Sequence, residues 1–349
     1  EDVCKWWTRQ EAKSHQLLLF PRDHGKSAMV AYRVAWELTK NPTLRVLYIS
    51  ATSNLAQKQL SFIKNIFESD IHQKYWPLHL NKEESKREKW TTSEIALDHP
   101  ARKKESVRDP SIFTGGLTTS LTGMHCDIAV LDDVVVFENA YTNEGRNKVK
   151  SQYSLLSSIE GSEAQEWVVG TRYHPKDLYS DLMGMEEDLY SNKGELEGKA
   201  DIYEVMERSV EDNGDGTGDF LWPRQTRRDG KFFGFDIKIL AKKRGQYLDR
   251  VQFRAQYYND PTDPDSQPIA YEKFQYYDRK HMTRDGGQWL YKGSKLNVSA
   301  AVDFAYSVSK RADYTAIIVI GVDSENNVYV LDIDRFKTDK ISEYFKHIL

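Results

Sequence analysis

Apolar positions along the chain follow two rhythms. Short unbroken runs, "HQLLLF" (15–20), "RVLYIS" (45–50), "SIFTGG" (111–116), "DIAVLDDVVV" (127–136) and "EWVVGT" (166–171), are bounded by polar segments, as fully buried strands are. Between the first two, Met29, Val30, Val34 and Leu38 recur at helical spacing, which predicts a helix from Lys26 to Thr39 that Asn41-Pro42 stops. Leu60, Ile63 and Phe67 predict another, with Ser53 as its N-cap. Strands alternating with helices argue for a parallel sheet covered on both faces, an α/β domain. The charged stretch "NKEESKREKW" (81–90) reads as a solvated excursion.

Past residue 210 the rhythm changes. "EDNGDGTGDF" (211–220) looks like a calcium loop, but counting from Asn213 the twelfth position is Arg224, where a bidentate Glu is required, so it reads as a Gly-rich turn. "NDPTDPDSQP" (259–268) has no apolar periodicity and reads as a linker. Beyond it "LNVSAAVDFAY", "TAIIVIGV" and "NVYVLDIDRF" predict consecutive strands, the last two joined by "DSENN". The organisation expected is therefore a first domain over 1–258, a linker over 259–268 and a second domain beginning at 269.

Composition narrows the classes. With 349 residues, 39% of them hydrophobic and 29% charged, the chain can bury more than one core. Cys4 and Cys126 make neither a disulfide framework nor a zinc motif, which fits a reducing compartment. No apolar run approaches the roughly 18 residues of a membrane span, and no signal-like segment opens the chain. The net charge of −4 leaves no overall basic footprint, so any nucleic acid must be held by local patches.

Candidate chemistry sits at strand ends. "LLLFPRDHGKS" is strand, loop and Gly-Lys-Ser opening a helix, the order of a phosphate-binding P-loop. The usual first glycine is replaced by Phe20, and Arg22 lies inside the loop. Main-chain N–H groups at a helix start point at an anion, Lys26 can reach the β- and γ-phosphates, and Ser27 can offer its hydroxyl to Mg²⁺. Arg22 adds a second cation suited to the γ-phosphate or to holding the loop. Gly-Lys-Ser alone is common by chance. The strand "DIAVLDD", ending in Asp132 and Asp133 about a hundred residues on, raises the case: one acid can hold the metal and the other orient water. Without the loop, that pair would read as acids capping a helix. Thr171 and Arg172 end a further strand and can sense the γ-phosphate, and a helix cap is the plainer role for Thr171. Arg146, in "NEGRNKVKSQY", fits either a finger offered to a neighbouring subunit or one residue of a solvated basic helix.

Five segments in order then resemble the large terminase subunit of tailed bacteriophages, the motor that packages DNA. "PRDHGKS" looks like its Walker A variant, "LTGMHCDIAVLDDVV" its Walker B region and "VVGTRYHPKDLY" its coupling motif. "LWPR" with "FRAQYYNDP" resembles the exit from the ATPase domain, and "AAVDFAYSVSKRADYTAIIVIG" the start of an RNase H-like nuclease domain. The resemblance implies a RecA-like P-loop fold of the additional-strand class. It implies ATP held by Arg22, Asp23, His24, Gly25, Lys26 and Ser27, with Mg²⁺ on Ser27 and Asp132. Asp133 would stand where many members carry Glu, and Thr171 would couple hydrolysis to movement. Asp303, with Asp313 ten positions on, would begin a nuclease site for Mg²⁺ or Mn²⁺. The strands bringing the family's other acids do not occur before Leu349, so no cleavage by these residues alone is expected. Implied partners are double-stranded DNA, the portal of a procapsid, a small terminase subunit and further copies in a ring, in the host cytoplasm. The same residues also fit a helicase-like ATPase stimulated by nucleic acid, or an RNase H-like nuclease with a regulatory P-loop.

Overall fold

The structure, a computed structural model, describes residues 1–121, 123–191, 193–262, 275–304, 314–338 and 340–348. The chain divides into two compact units, Glu1–Ser266 and Gln267–Leu349.

The first unit opens with α1 (Asp2–Thr8), then β1 (His15–Leu19), α2 (Lys26–Lys40), β2 (Val46–Ser50), α3 (Ser53–Glu68) and α4 (Asp70–Tyr75). Next come β3 (Lys89–Trp90), β4 (Glu94–Ala96), α5 (Pro100–Lys104), β5 (Ile112–Gly116) and β6 (Cys126–Asp132). Two helices, α6 (Phe137–Ala140) and α7 (Asn143–Ser154), precede β7 (Glu160–Gly170) and α8 (Leu178–Met183). Then follow β8 (Glu186–Tyr190), β9 (Leu196–Asp201) and β10 (Tyr203–Glu207). The unit ends with β11 (Gln225–Thr226), β12 (Phe232–Phe233), α9 (Ile237–Gln246) and α10 (Arg250–Tyr258).

Eight strands form one sheet in the order β10-β1-β7-β6-β2-β5-β4-β3. Pairings from β10 to β5 are parallel, and those of β4 with β5 and β3 with β4 are antiparallel. The α/β class with a mainly parallel sheet is thus as expected. Parallel strands buried on both faces need apolar side chains at every position, which is why "LLL", "VLYI" and "IAVL" run without alternation. One core lies under α2 and α3, where Val30, Val34, Leu38, Leu60, Ile63 and Phe67 are fully buried. The other, on the opposite face, gathers Leu17, Leu19, Leu131, Val168 and Tyr179. β7 stands between β1 and β6, so a strand is inserted between the P-loop strand and the acidic strand.

Three local expectations change. The N-cap of α3 is Thr52, whose side chain accepts from Leu55 N–H, because the Ser53 hydroxyl is taken by the Gly116 N–H at 3.0 Å. β6 ends at Asp132 and does not run through Val136, since Asp133 turns into the left-handed region at φ 48°. The charged excursion ends in β3, which pairs with β4 just beyond it, and the two extend the sheet antiparallel with Ile95 of β4 buried.

At the sheet end away from the P-loop, Glu166 is buried beside Glu160. It accepts hydrogen bonds from the hydroxyls of Tyr203 and Tyr153. Burial, then the neighbouring Glu160 charge, push its carboxyl up to about 8. An acid raised in this way stays neutral while the unfolded chain ionises, so its contribution to stability falls as pH rises from about 4 toward about 8. Glu166→Gln is therefore expected to raise the unfolding midpoint at pH 8.5 and leave it unchanged near pH 4, as thermal melts at both pH values will show.

Residues 207–262 form a small lobe around Val210, Phe235, Leu240, Phe253 and Tyr257. Its Gly-rich turn closes on Glu211, whose carboxylate accepts from the N–H groups of Asn213, Gly216 and Gly218 and from the Tyr258 hydroxyl. Asn259, the first residue of the expected linker, is buried and caps α10 at φ 54°.

The second unit carries a meander of β16 (Asn297–Asp303), β17 (Thr315–Val322) and β18 (Val328–Phe336), all antiparallel. Ahead of it β13 (Met282–Asp285), β14 (Gln288–Tyr291) and β15 (Ser294–Lys295) form a second small sheet, and α11 (Ile341–Ile348) follows.

Candidate nucleotide site

The loop between β1 and α2 is fixed from three sides. Phe20 N–H donates to the Gly170 carbonyl at 3.1 Å, and the Thr171 hydroxyl donates to the Phe20 carbonyl at 3.0 Å. Arg22 N–H donates to the Gln256 carbonyl at 2.9 Å. Asp23 (φ 65°) and Gly25 (φ 68°) both take left-handed backbone, and Gly25 is the N-cap of α2. A glycine suits that capping position, since a side chain at φ 68° would be strained, while the Trp222 ring lies at ordinary contact distance, 3.4 Å from where a Cβ would sit. The helix's first N–H groups have no partner within the helix, the arrangement that receives an anion.

The two acids of β6 meet this loop. The Ser27 hydroxyl donates to Asp132 at 2.9 Å, and the Tyr48 hydroxyl donates to the other Asp132 oxygen at 2.9 Å. The Lys26 ammonium pairs with Asp133 at 3.1 Å. Asp132 is 3% exposed; burial first, then the Asp133 charge beside it, push its carboxyl up to about 7 despite the two hydroxyl donors. Asp133 holds φ 48° while its N–H donates to the Val169 carbonyl at 2.9 Å, so neighbouring β7 fixes the turn that aims it. Hard oxygen donors on Ser27 and Asp132, with a buried carboxylate short of positive charge, fit Mg²⁺.

The strand end after β7 is tied just as closely. Gly170 lies flat against the Tyr179 ring, where any side chain would collide. Thr171 is buried and reaches the P-loop, while the cap of α8 is Asp177, which accepts from Ser180 N–H. Asp177, fully buried, also takes the Arg172 Nε at 3.1 Å. Arg172 N–H donates to the Asn259 side chain, and the Gln256 side-chain amide donates to the Arg172 carbonyl at 3.1 Å. The same Gln256 accepts from the Arg22 guanidinium at 3.2 Å. Gln256 thus joins the loop, the strand end and α10.

Of the residues expected at the site, Arg22, Asp23, His24, Gly25, Lys26, Ser27, Asp132, Asp133 and Thr171 come together. Two are turned differently from the simplest picture. The His24 ring is buried and stacked on Phe235 at 5.0 Å, leaving its main chain to face a phosphate. Asp23 points to Lys243 at 3.7 Å. Arg146 lies apart: its guanidinium is buried and donates to the Ala140 carbonyl at 2.7 Å and to Asn143. It is neither solvated nor presented to a neighbour. Asp303 ends β16, in register with Ala316. Asp332 and Asp334 pair with Val319 and Ile317, so they occupy the opposite face of the meander. Asp313 lies outside the described residues.

Sequence reading missed Tyr48, Gln256, Asn259 and Trp222. Tyr48 was signalled by a lone hydroxyl inside an apolar parallel strand; Trp222, Gln256 and Asn259 lie in the segments "LWPR" and "FRAQYYNDP", whose resemblance gave them no individual role.

Fold and site together define a P-loop α/β unit of the additional-strand type. No protein-family model matches the chain. It is 30% identical over 187 residues to the large terminase subunit of enterobacteria phage T3, a stretch covering 52% of this chain and 29% of that protein. The resemblance drawn from the motifs is borne out by this relative, of which the chain spans less than a third. Solved structures similar to it include the large terminase ATPase domain of Thermus phage P74-26, at 12% identity and TM-score 0.40, covering 72% of this chain and 90% of that one. The large terminase of another thermophilic bacteriophage, in complex with ADP, is similar at 12% identity and TM-score 0.41, covering 99% and 71%. No described helix is long and apolar enough to cross a membrane.

Proposed function

We propose that this chain hydrolyses ATP to drive double-stranded DNA into a viral procapsid. The observation that carries the reading is the meeting of Lys26 and Ser27 with Asp133 and Asp132 at one end of the parallel sheet, at 3.1 and 2.9 Å. Arg22 and Lys26 bind the triphosphate oxygens together with the N–H groups opening α2. Ser27 and Asp132 hold Mg²⁺, which when bound neutralises phosphate charge. Asp133 accepts a proton from the attacking water. As an Asp it is one methylene shorter than Glu, and the left-handed turn is what advances it. Thr171 and Gln256 transmit the occupancy of the loop to the lobe over 207–262.

The reading extends to partners. Copies of the chain form a ring at the portal of the procapsid, supplied with DNA by a small terminase subunit, in the host cytoplasm. Asp303 begins an RNase H-like nuclease site for Mg²⁺ or Mn²⁺. The test is phosphate release from Mg·ATP with and without duplex DNA: stimulation by duplex of any sequence is expected, and turnover indifferent to duplex would remove the motor reading. A helicase would instead unwind a forked duplex.

Gln256→Met, which keeps bulk and the main-chain bond to Arg22 N–H but removes the side-chain bonds to the Arg22 guanidinium and the Arg172 carbonyl, is expected to cut duplex stimulation about tenfold, within the usual range of coupling energies. The KM for ATP should change far less. A parallel loss of ATP affinity and melting temperature would reduce Gln256 to a packing residue.

A further inference from the structure

Charge is unevenly distributed along this chain. Overall it has 49 Lys and Arg against 53 Asp and Glu, yet from Arg224 to Arg250 there are nine basic residues against three Asp. This stretch is the two-stranded ribbon β11–β12 and helix α9. The ribbon tip is closed by Arg227 N–H donating to the Lys231 carbonyl at 2.7 Å, and it presents Arg227, Arg228 and Lys231 to solvent. Lys238 and Lys242 are exposed one turn apart on α9. Among the described residues, no carboxylate pairs with Arg228, Lys231, Lys238 or Lys242.

The ribbon's root lies on the nucleotide site. Trp222 packs edge-on against Phe233 of β12, at 5.7 Å between centroids, and its ring also covers Gly25. Phe235, two residues past β12, carries the His24 ring. A change in loop backbone is therefore felt at the base of the basic ribbon.

We propose that the tip of this ribbon, Arg227, Arg228 and Lys231, with the exposed lysines of α9, is the surface that holds the phosphate backbone of duplex DNA. This rests on the motor reading and names its DNA-contacting surface. Long, flexible cations suit a polyanion of uniform charge, and backbone contacts carry no sequence preference, as a motor that moves any sequence requires. The ribbon supplies the local patch that the acidic whole lacks.

The test is binding of two unrelated fluorescein-labelled 30-base-pair duplexes, followed by anisotropy from 50 to 200 mM NaCl, with the full chain. Wild type is expected to bind both equally. The triple variant Arg227→Ala/Arg228→Ala/Lys231→Ala should keep its melting temperature. Its affinity should fall roughly tenfold or more, and the slope of log K against log salt should flatten by about 2–3, nearly one per phosphate contact removed. The control Lys103→Ala/Lys104→Ala/Arg108→Ala removes equal charge from another exposed surface and should leave the slope unchanged. An unchanged slope in the ribbon variant, a flattened slope in the control, or no duplex binding by wild type overturns the assignment. So does a ribbon variant that only loses self-association, seen by sedimentation, with duplex affinity intact. Full ATP turnover in Lys26→Ala would instead sink the motor reading while leaving a ribbon result standing.

Discussion

Lys26→Ala is expected to lower ATP turnover, with or without duplex DNA, by roughly 10²–10³-fold or more, the cost of removing one preorganised group that meets developing phosphate charge. The side chain is 11% exposed and held against Asp133, so its ammonium is already at the mouth of the loop before phosphate arrives. Alanine at the first position of α2 is a good helix former, so the backbone of the loop survives and the defect is in charge. Removing the ammonium has a second consequence: Asp133 loses its partner while Asp132 stays alongside. Repulsion between the two acids then grows, so Lys26→Arg, which restores charge but not the compact ammonium, should recover folding more than turnover. Phosphate release under saturating Mg·ATP, read beside a thermal melt, separates the two.

Asp132→Asn is expected to make the protein more stable and inactive. In the unfolded chain this carboxyl ionises near its ordinary value, whereas burial and Asp133 hold it near 7 in the folded one. Folding therefore loses stability as pH climbs from about 4 to about 7 and does not recover it above. Asparagine has no proton to lose and can still accept from Ser27. The variant should gain about 1–3 kcal/mol over wild type at pH 8 and almost nothing at pH 4, seen as a midpoint difference in urea that grows with pH. With the proposed metal ligand gone, turnover should fall as far as in Lys26→Ala. A destabilised variant at pH 8 would mean that Asp132 is a structural hydrogen-bond acceptor, with no strain stored for function.

Most of the sheet was legible because parallel strands buried on both faces have one sequence signature, an unbroken apolar run. "DIAVLDDVVV" misled in length for the same reason: nothing in Val134–Val136 says that Asp133 has turned left-handed, a conformation set by the Val169 carbonyl on the next strand. Short polar strands such as β3, and the edge strand β10, have no such run and were silent. The loop and its two acids were readable because their chemistry demands fixed spacing. Gln256 was not: its role depends on lying beside Arg22, 234 residues away in sequence, and on a carbonyl at Arg172. Arg146 shows the opposite error, since a basic helix reads as solvated until Ala140 and Asn143 are seen to absorb its guanidinium.

On the proposed function, the loop from Phe20 to Ser27 would receive a triphosphate, and Ser27 and Asp132 would hold its metal. A crystal grown with ATPγS and Mn²⁺, with anomalous data collected for manganese, tests it directly. The thiophosphate chain is expected along residues 20–27, with a single strong anomalous peak bonded to the Ser27 hydroxyl. A nucleotide bound elsewhere, or a manganese peak remote from Ser27 and Asp132, would contradict it.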